Sequence, residues 1–288
     1  MYEKTGHFTG QDGLRLFYRS WTAAEAETAV PVVVVHGAFE HGGRYRHVGQ
    51  WLSERGYDVF VPDLRGHGLS EGRRMWVERF SEYLTDLDRF LDQLARPDER
   101  VLLVGHSMGG LIALHYALSR PRRLSALVLS APWIRLRLRL NPLERALAPV
   151  MASILPRLER PSGIDPGALS RDPAVGRAYE ADPLVTKRAT VRWFVECSRA
   201  AAAIESAGTV PLEMPVMVLQ GAADPIVDPA TCRSVFERIE QPRKVLKWYP
   251  GVYHEIFNDP DHEQVLQDVV EWAASETMAA PGEQSPAR

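Results

Sequence analysis

A serine lies in the stretch RVLLVGHSMGGLIALHYAL, residues 100–118, where an apolar run meets a helical pattern. The central letters G-H-S-M-G, with Ser107 in the middle, form a G-x-S-x-G sequence with a strand pattern before it and a helix pattern after it. The glycines let the chain reverse sharply and leave the serine hydroxyl exposed at the turn. The free N–H groups at the start of the following helix favour a developing oxyanion. The sequence therefore predicts Ser107 as the nucleophile of an acyl transfer.

A serine hydroxyl is a poor nucleophile until a base takes its proton. In elbows of this type, an acid and then a histidine follow the serine along the chain. Asp224 ends the apolar run MPVMVLQGAAD, and His254 stands in YPGVYHE, after the last apolar run. We predict that His254 accepts the proton of Ser107 and that Asp224 orients the imidazole. Asp228, four residues further along, is the alternative acid.

Two backbone N–H groups are expected to hold the oxyanion of the tetrahedral intermediate. Met108 provides one, because it directly follows the serine, and the loop HGAFE after the third strand provides the other. Within that loop we choose Ala38, which follows the His-Gly pair. No spacing of histidines or cysteines matches a metal site, so the sequence predicts neither a metal nor another cofactor.

The elements that must position these residues are strands that alternate with helices. Six apolar runs are separated by helical patterns, and the earlier stretch HFTGQDGLRLFYRSW is typical of a hairpin. This order predicts an α/β fold with a mostly parallel central sheet flanked by helices. The helical patterns span residues 44–55, 80–94, 108–119, 231–240 and 261–274.

Roughly 80 residues separate the sixth strand from the next one, which is too long for a plain loop. We therefore predict a helical cap inserted after the sixth strand. One helical face in it, within residues 143–155, either packs on the core or forms a lid over an acyl-binding site. The predicted parts are a first core segment 1–131, the cap 132–210, a second core segment 211–277 and a disordered tail 278–288.

The composition is that of an ordinary globular chain of 288 residues, with 45% hydrophobic and 25% charged residues. A net charge of −3 does not favour nucleic acid as a partner. No apolar stretch approaches the roughly 18 residues of a membrane span, and no signal-peptide core is visible, so we expect a cytoplasmic protein. In the cap, Arg135, Arg137 and Arg139 form either a basic rim for transient docking on a membrane or micelle, or a solvated rim with local salt bridges. The oligomeric state is left open.

Taken together, these stretches resemble the monoacylglycerol lipase and lysophospholipase branch of the α/β-hydrolases over nearly the whole chain. The resemblance is carried by HGAFEHGGRY, DLRGHGLSEGRR, GHSMGG, LQGAADPIVDP and YPGVYHEIFND. The family's triad matches Ser107, Asp224 and His254, and its oxyanion donors match Ala38 and Met108. The resemblance implies a serine carboxylic ester hydrolase, first of all a monoacylglycerol lipase that releases fatty acid and glycerol through an acyl-enzyme on the serine. The alternatives are a lysophospholipase, a short- or medium-chain carboxylesterase and, more distantly, a non-catalytic ligand-binding protein.

The resemblance also implies a substrate-binding set. Glu40 and Arg44 fall in the family's loop around the pocket for the leaving alcohol, and Tyr179 falls where the cap lines that pocket. Their polar groups suit glycerol hydroxyls, although Glu40 and Arg44 can equally form a local ion pair that fixes the oxyanion loop. Phe39 replaces a small residue, often glycine, and either narrows the alcohol side or shapes the acyl tunnel. The first cap segment, 133–160, differs from the family's other caps, so acyl-chain length is left open.

Overall fold

The computed structural model describes residues 2–23, 30–94, 99–137 and 142–278. Within these ranges the chain forms ten strands and eight α-helices. The strands are β1 (Lys4–Thr9), β2 (Arg15–Trp21), β3 (Val32–Val35), β4 (Val59–Pro62), β5 (Val101–His106), β6 (Leu124–Ser130), β7 (Glu159–Pro161), β8 (Arg188–Thr190), β9 (Val216–Gly221) and β10 (Lys244–Tyr249). The α-helices are α1 (Arg46–Ser53), α2 (Ser81–Leu94), α3 (Met108–Ser119), α4 (Pro142–Ile154), α5 (Pro173–Ala181), α6 (Val191–Ser206), α7 (Pro229–Glu237) and α8 (His262–Met278).

Eight of the strands form one sheet in the order β1-β2-β4-β3-β5-β6-β9-β10. The pairs β1–β2 and β2–β4 are antiparallel, and every other neighbouring pair in this sheet is parallel. The six apolar runs are all strands of this sheet, and the hairpin at its edge closes with the N–H of Gly10 donating to the carbonyl of Leu14 at 2.8 Å. The predicted α/β fold is confirmed.

The centre of the sheet is shielded from water on both faces. Every residue of β3, β5 and β9 is buried, as expected for parallel strands covered by helices on either side. Helix α3 is apolar around most of its circumference, and Leu111 and Ile112 have no exposed surface. The functional loops therefore start from a rigid, closely packed base.

The strand order reverses beside β3. Chain order runs from β3 outward to β4 on one side, whereas β5 pairs with the other side of β3. At such a reversal the loops after the two neighbouring strands diverge and leave a crevice at the carboxyl ends of the strands. The loop after β3 contains HGAFE and the turn after β5 contains the serine, so topology alone brings both to this crevice.

The segment between β6 and β9 contains α4, α5, α6 and the antiparallel pair β7–β8. The hydrogen bonds that join it to the core include Thr186 N–H to Phe39 O at 3.2 Å, Thr190 Oγ1 to Met75 O at 2.6 Å, and Ser170 Oγ to Asn258 O at 3.0 Å. Helix α4 packs against α6. The segment thus covers the crevice from above.

Two predictions fall partly outside the described residues. Arg139 lies outside them, as does the predicted tail 278–288 apart from Met278, which ends α8. None of the helices in the described ranges is long and apolar enough to cross a membrane.

Candidate active site

Ser107 lies at a sharp turn between β5 and α3. Its backbone has φ 53° and ψ −115°, a combination that β-turns normally reserve for glycine. A Cβ atom at Gly105 would lie 2.4 Å from the carbonyl oxygen of Gly109, and one at Gly109 would lie 2.1 Å from that of Val35. Because α3 approaches β3 and β5 so closely, only glycine fits two positions before and two positions after the serine.

The structure brings the three sequence-predicted triad residues together. His254 Nε2 lies 2.9 Å from Ser107 Oγ, and His254 Nδ1 lies 2.8 Å from Asp224 Oδ2. The exposed fraction is 7% for Ser107, 4% for His254 and zero for Asp224. Since a carboxylate can only accept, Nδ1 carries the imidazole proton and Nε2 is left to accept the proton of the hydroxyl.

The two candidate acids have different environments. Asp224 follows β9, and its Oδ1 accepts the backbone N–H groups of Ile226 and Val227 at 2.8 and 3.0 Å, which leaves Oδ2 for the histidine. Asp228 instead caps α7, where its carboxylate accepts the N–H and the hydroxyl of Thr231 at 3.3 and 2.6 Å. Asp228 therefore stabilises the N-terminus of α7, whereas Asp224 binds the histidine.

The surroundings of His254 favour its protonated form. Burial alone lowers the pKa of His254, but the charge and hydrogen bond of Asp224, with the charges of Glu255 and Glu40, raise it above the ordinary value of 6.5. The ring of His106 lies against it at a centroid distance of 4.8 Å. Burial keeps the pKa of His106 well below its usual range, so this neighbour adds no competing positive charge at neutral pH.

The loop after β3 lies directly beside the nucleophile. A Cβ atom at Gly37 would be 3.2 Å from Ser107 Cβ, and Ala38 lines the same cavity as Ser107. His36 fixes this loop, because its Nε2 accepts the N–H of Leu64 at 3.0 Å while its Nδ1 donates to the carbonyl of Gly37 at 2.7 Å. Burial lowers the pKa of His36 to about 3, so the ring stays neutral and keeps both bonds.

Met108 is the first residue of α3. The N–H groups in the first turn of a helix have no acceptor within the helix, and the first intrahelical bond here reaches back from Leu111 to the carbonyl of Ser107. Ala38 and Met108 thus flank the serine from two different elements, which is the arrangement that a two-donor oxyanion site requires.

The carboxylate of Glu40 is buried, and both of its oxygens have partners. Oε1 accepts the N–H of Gly37 at 2.6 Å and the hydroxyl of Tyr45 at 2.8 Å, and Oε2 accepts from Arg44 at 2.9 Å. The ion pair considered from the sequence is therefore present. Glu255, a residue that the sequence motifs did not predict, binds the same guanidinium through both oxygens at 2.6 and 2.8 Å. The feature of the sequence that could have indicated a role for Glu255 is its position directly after His254.

Tyr179 lines the cavity from α5. Its ring lies against the guanidinium of Arg44, whose central carbon is 5.1 Å from the ring centroid. Its hydroxyl is buried and has no hydrogen-bond partner among the described residues. A buried hydroxyl without a partner is costly, so this group is available to a polar group of a bound molecule.

Phe39 has φ 63°, in the left-handed region that favours glycine. Its ring packs edge-on against Trp193 at a centroid distance of 5.3 Å. A strained backbone therefore places an aromatic ring in the cavity wall.

Two neighbouring cavities meet at this wall. The first, of about 380 Å³, contains Ser107 and His254 and has mostly apolar walls. The second, of about 360 Å³, lies under α4 and is also mostly apolar. Four residues line both cavities: Phe39, Ser162, Gly163 and Phe194.

Across the described parts of the chain, no group of three or more His, Cys, Asp or Glu side chains is arranged to hold a metal ion. The side chains and backbone amides around Ser107 offer a hydroxyl, an imidazole hydrogen-bonded to it, and the N–H groups of Ala38 and Met108.

Known proteins are similar to this chain in sequence and in fold. The family described as serine aminopeptidase, S33, matches residues 26–261. A monoacylglycerol lipase of Mycolicibacterium smegmatis is 36% identical, over 93% of this chain and 96% of its own. The phospholipase YtpA of Bacillus subtilis is 32% identical, over 86% of this chain and 96% of its own.

A solved structure agrees with this match. The crystal structure of a Paleococcus ferrophilus monoacylglycerol lipase superposes with a TM-score of 0.79 at 32% identity, covering 91% of this chain and 99% of that one. The chain therefore belongs to the serine aminopeptidase S33 family, in the monoacylglycerol lipase branch of the α/β-hydrolase superfamily.

Proposed function

We propose that this protein is a serine hydrolase that cleaves monoacylglycerols into fatty acid and glycerol. The observation that carries the proposal is the hydrogen-bonded line from Ser107 through His254 to Asp224, which opens into a mostly apolar cavity with polar groups on one side. The similarity to monoacylglycerol lipases over nearly the whole chain supports the same substrate class.

In the first half-reaction His254 Nε2 takes the proton of Ser107 while Oγ attacks the ester carbonyl carbon. The carbonyl oxygen becomes an oxyanion, which the N–H groups of Ala38 and Met108 stabilise. Collapse breaks the bond to the glycerol oxygen, which leaves with the proton from the imidazolium. Water, deprotonated by the same nitrogen, then attacks the acyl-enzyme. Collapse breaks the bond to Ser107 Oγ, which takes the proton back from the imidazolium, and the fatty acid is released. Asp224 stabilises the imidazolium in both halves.

The two cavities suggest how the substrate lies. The acyl chain occupies apolar space that continues past Phe39 toward α4, where Leu147 and Met151 line the second cavity. The glycerol end lies near Tyr179, Glu40 and the other polar groups of the first cavity. Of these groups, the hydroxyl of Tyr179 lacks a partner among the described residues and is the one best able to contact glycerol.

Replacing Tyr179 with phenylalanine tests this orientation. We expect KM for 1-monooleoylglycerol to rise by about fivefold, because one neutral hydrogen bond contributes about 1 kcal/mol. Turnover of p-nitrophenyl butyrate, whose leaving group carries no glycerol hydroxyls, should stay the same. Steady-state kinetics of both esters provide the measurement. An equal loss on the two esters would contradict a glycerol-binding role.

A panel of esters tests the substrate class itself. We expect the wild-type protein to hydrolyse 1-monooleoylglycerol in preference to lysophosphatidylcholine, because the carboxylates of Glu40 and Glu255 flank a single guanidinium at the polar end and disfavour a phosphate. Faster release of fatty acid from lysophosphatidylcholine would assign the site to lysophospholipids, in line with the phospholipase relative.

We further propose that the region around α4 docks transiently on lipid surfaces. Seven large hydrophobic side chains in the described residues are exposed, and five of them lie within 147–158: Leu147, Val150, Ile154, Leu155 and Leu158. A concentration of this kind marks an interaction surface. Arg135 is paired with Glu205, and Arg137 lies 3.6 Å from Asp228, so the basic rim is largely neutralised and apolar contact carries the docking.

The variant Ile154→Asp tests this surface, because Ile154 is 69% exposed at the end of α4. We expect its partitioning onto phosphatidylcholine vesicles, measured by co-sedimentation, to fall by about 30-fold, since burying one such side chain is worth about 2 kcal/mol. Turnover of soluble p-nitrophenyl butyrate should not change. The matched control is Tyr2→Asp, which charges an exposed apolar site on the other part of the molecule. Equal partitioning of the two variants would remove α4 as the docking surface.

A further inference from the structure

Arg44 joins the two loops that contain the proposed oxyanion donor and the histidine base. Its Nη1 donates to Glu40 Oε2 at 2.9 Å and to Glu255 Oε1 at 2.6 Å, and its Nη2 donates to Glu255 Oε2 at 2.8 Å. Glu40 and Glu255 are 215 positions apart in sequence number. A single guanidinium thus connects the loop of Glu40 with the loop of Glu255.

Each carboxylate is bound to a reacting loop. Glu40 accepts the N–H of Gly37, the residue before Ala38, at 2.6 Å. Glu255 directly follows His254, and its own N–H donates to the carbonyl of Leu169 at 2.8 Å. A displacement of the guanidinium would therefore be passed to the oxyanion loop on one side and to the imidazole on the other.

The guanidinium is poorly placed to serve as a substrate ligand. Its side chain is only 10% exposed, it makes three hydrogen bonds to carboxylates, and one of its faces lies against the ring of Tyr179. Glu40, Glu255 and Tyr179 line the cavity in front of it. We propose that Arg44 is a positioning residue, which holds the oxyanion loop and the loop of His254 in one fixed relation.

Three variants and a control test this role. Arg44→Met removes the link, Arg44→Lys keeps a charge that cannot bind both carboxylates as a fork, and Glu255→Gln weakens one side while keeping its shape. The matched control is Arg46→Met, since Arg46 is a neighbouring but exposed arginine paired with Glu3. Each is assayed on 1-monooleoylglycerol, on p-nitrophenyl butyrate, and for the rate at which a fluorophosphonate labels Ser107.

We expect Arg44→Met to lower kcat on both esters, and the labelling rate, by about 100-fold with little change in KM, as a misplacement near 1 Å can do. Arg44→Lys should recover part of that loss, and the control should match the wild type. If p-nitrophenyl butyrate turnover and labelling stay at the wild-type level in Arg44→Met, the positioning role is wrong, even where KM for the glycerol ester rises. If that variant does not fold, Glu255→Gln decides, because wild-type kcat on both esters would overturn the proposal.

The inference rests on the proposed function for one substrate only. Should the wild-type protein fail to hydrolyse 1-monooleoylglycerol, the monoacylglycerol assignment fails, while p-nitrophenyl butyrate and fluorophosphonate labelling still decide the role of Arg44.

Discussion

Replacing Ser107 with alanine is expected to lower kcat for every ester substrate by about 10⁶-fold, since loss of a serine nucleophile leaves only binding and oxyanion stabilisation. Among the described residues, this hydroxyl is the one hydrogen-bond partner of His254 Nε2, at 2.9 Å, and it is the atom placed to attack. A fluorophosphonate should label the wild-type protein at this residue and should not label the variant. Ester turnover by Ser107→Ala near the wild-type rate would contradict the mechanism.

A second substitution at the same position separates chemistry from folding. Ser107→Gly should be equally inactive, yet its free energy of unfolding should exceed that of Ser107→Ala by about 1 kcal/mol or more, because alanine keeps a Cβ atom at a φ that strains it. The strained φ of 53° is what holds the hydroxyl at the sheet edge. Urea unfolding of the two variants measures the difference, and an equal or lower stability for the glycine variant would show that the turn is not strained.

Replacing Asp224 with asparagine is expected to lower kcat by about 10⁴-fold at neutral pH, because the amide no longer stabilises the imidazolium or fixes its tautomer. The chain provides a matched control in Asp228→Asn. Asparagine caps helices about as well as aspartate, so this variant should keep α7 and its activity. A large loss of kcat in the control would reopen the choice between the two acids.

The variant Asp224→Asn also tests the direction in which Asp224 shifts the pKa of His254. Catalysis needs neutral His254, and its raised pKa places the acid limb of kcat/KM above pH 6.5 in the wild-type protein. Without the charge of Asp224, burial becomes the dominant influence and lowers the pKa of His254. The acid limb of Asp224→Asn should therefore move to lower pH, even as the maximum rate collapses, and a pH–rate profile measures the shift.

The fold and the triad geometry were largely predictable from the sequence, for reasons that lie in the backbone. Continuous β-branched runs such as VVVV specify buried parallel strands, and the order of strands and helices then limits the topology to few choices. Ser107, Asp224 and His254 each follow a strand, so the sheet edge brings them together. The glycines around the serine also indicate the sharp turn, because the close approach of α3 to β3 excludes any larger residue there.

Other features of the site depend on side-chain contacts between distant segments. The bond between Arg44 and Glu255 spans 211 positions, and nothing in the local pattern of either segment indicates it. Likewise, the periodicity of residues 143–155 predicts an apolar helical face, but it does not show which part of the molecule that face contacts. In the structure Leu147 both lines the second cavity and is 46% exposed. The same helix therefore forms part of the cavity wall and part of the outer surface.

Hydrogen bonds of Thr186, Thr190 and Ser170, among others, join the segment between β6 and β9 to the core and limit how a long fatty chain can enter. If that segment swung away as one body, the bonds of Thr186, Thr190 and Ser170 would break together, and the first of them would pull on the carbonyl of Phe39. Helix α4 lies outside these three points. Substrate admission by local displacement of α4 would leave the proposed oxyanion donors undisturbed, so that fatty acid is exchanged for fresh ester while the catalytic residues stay assembled from one turnover to the next.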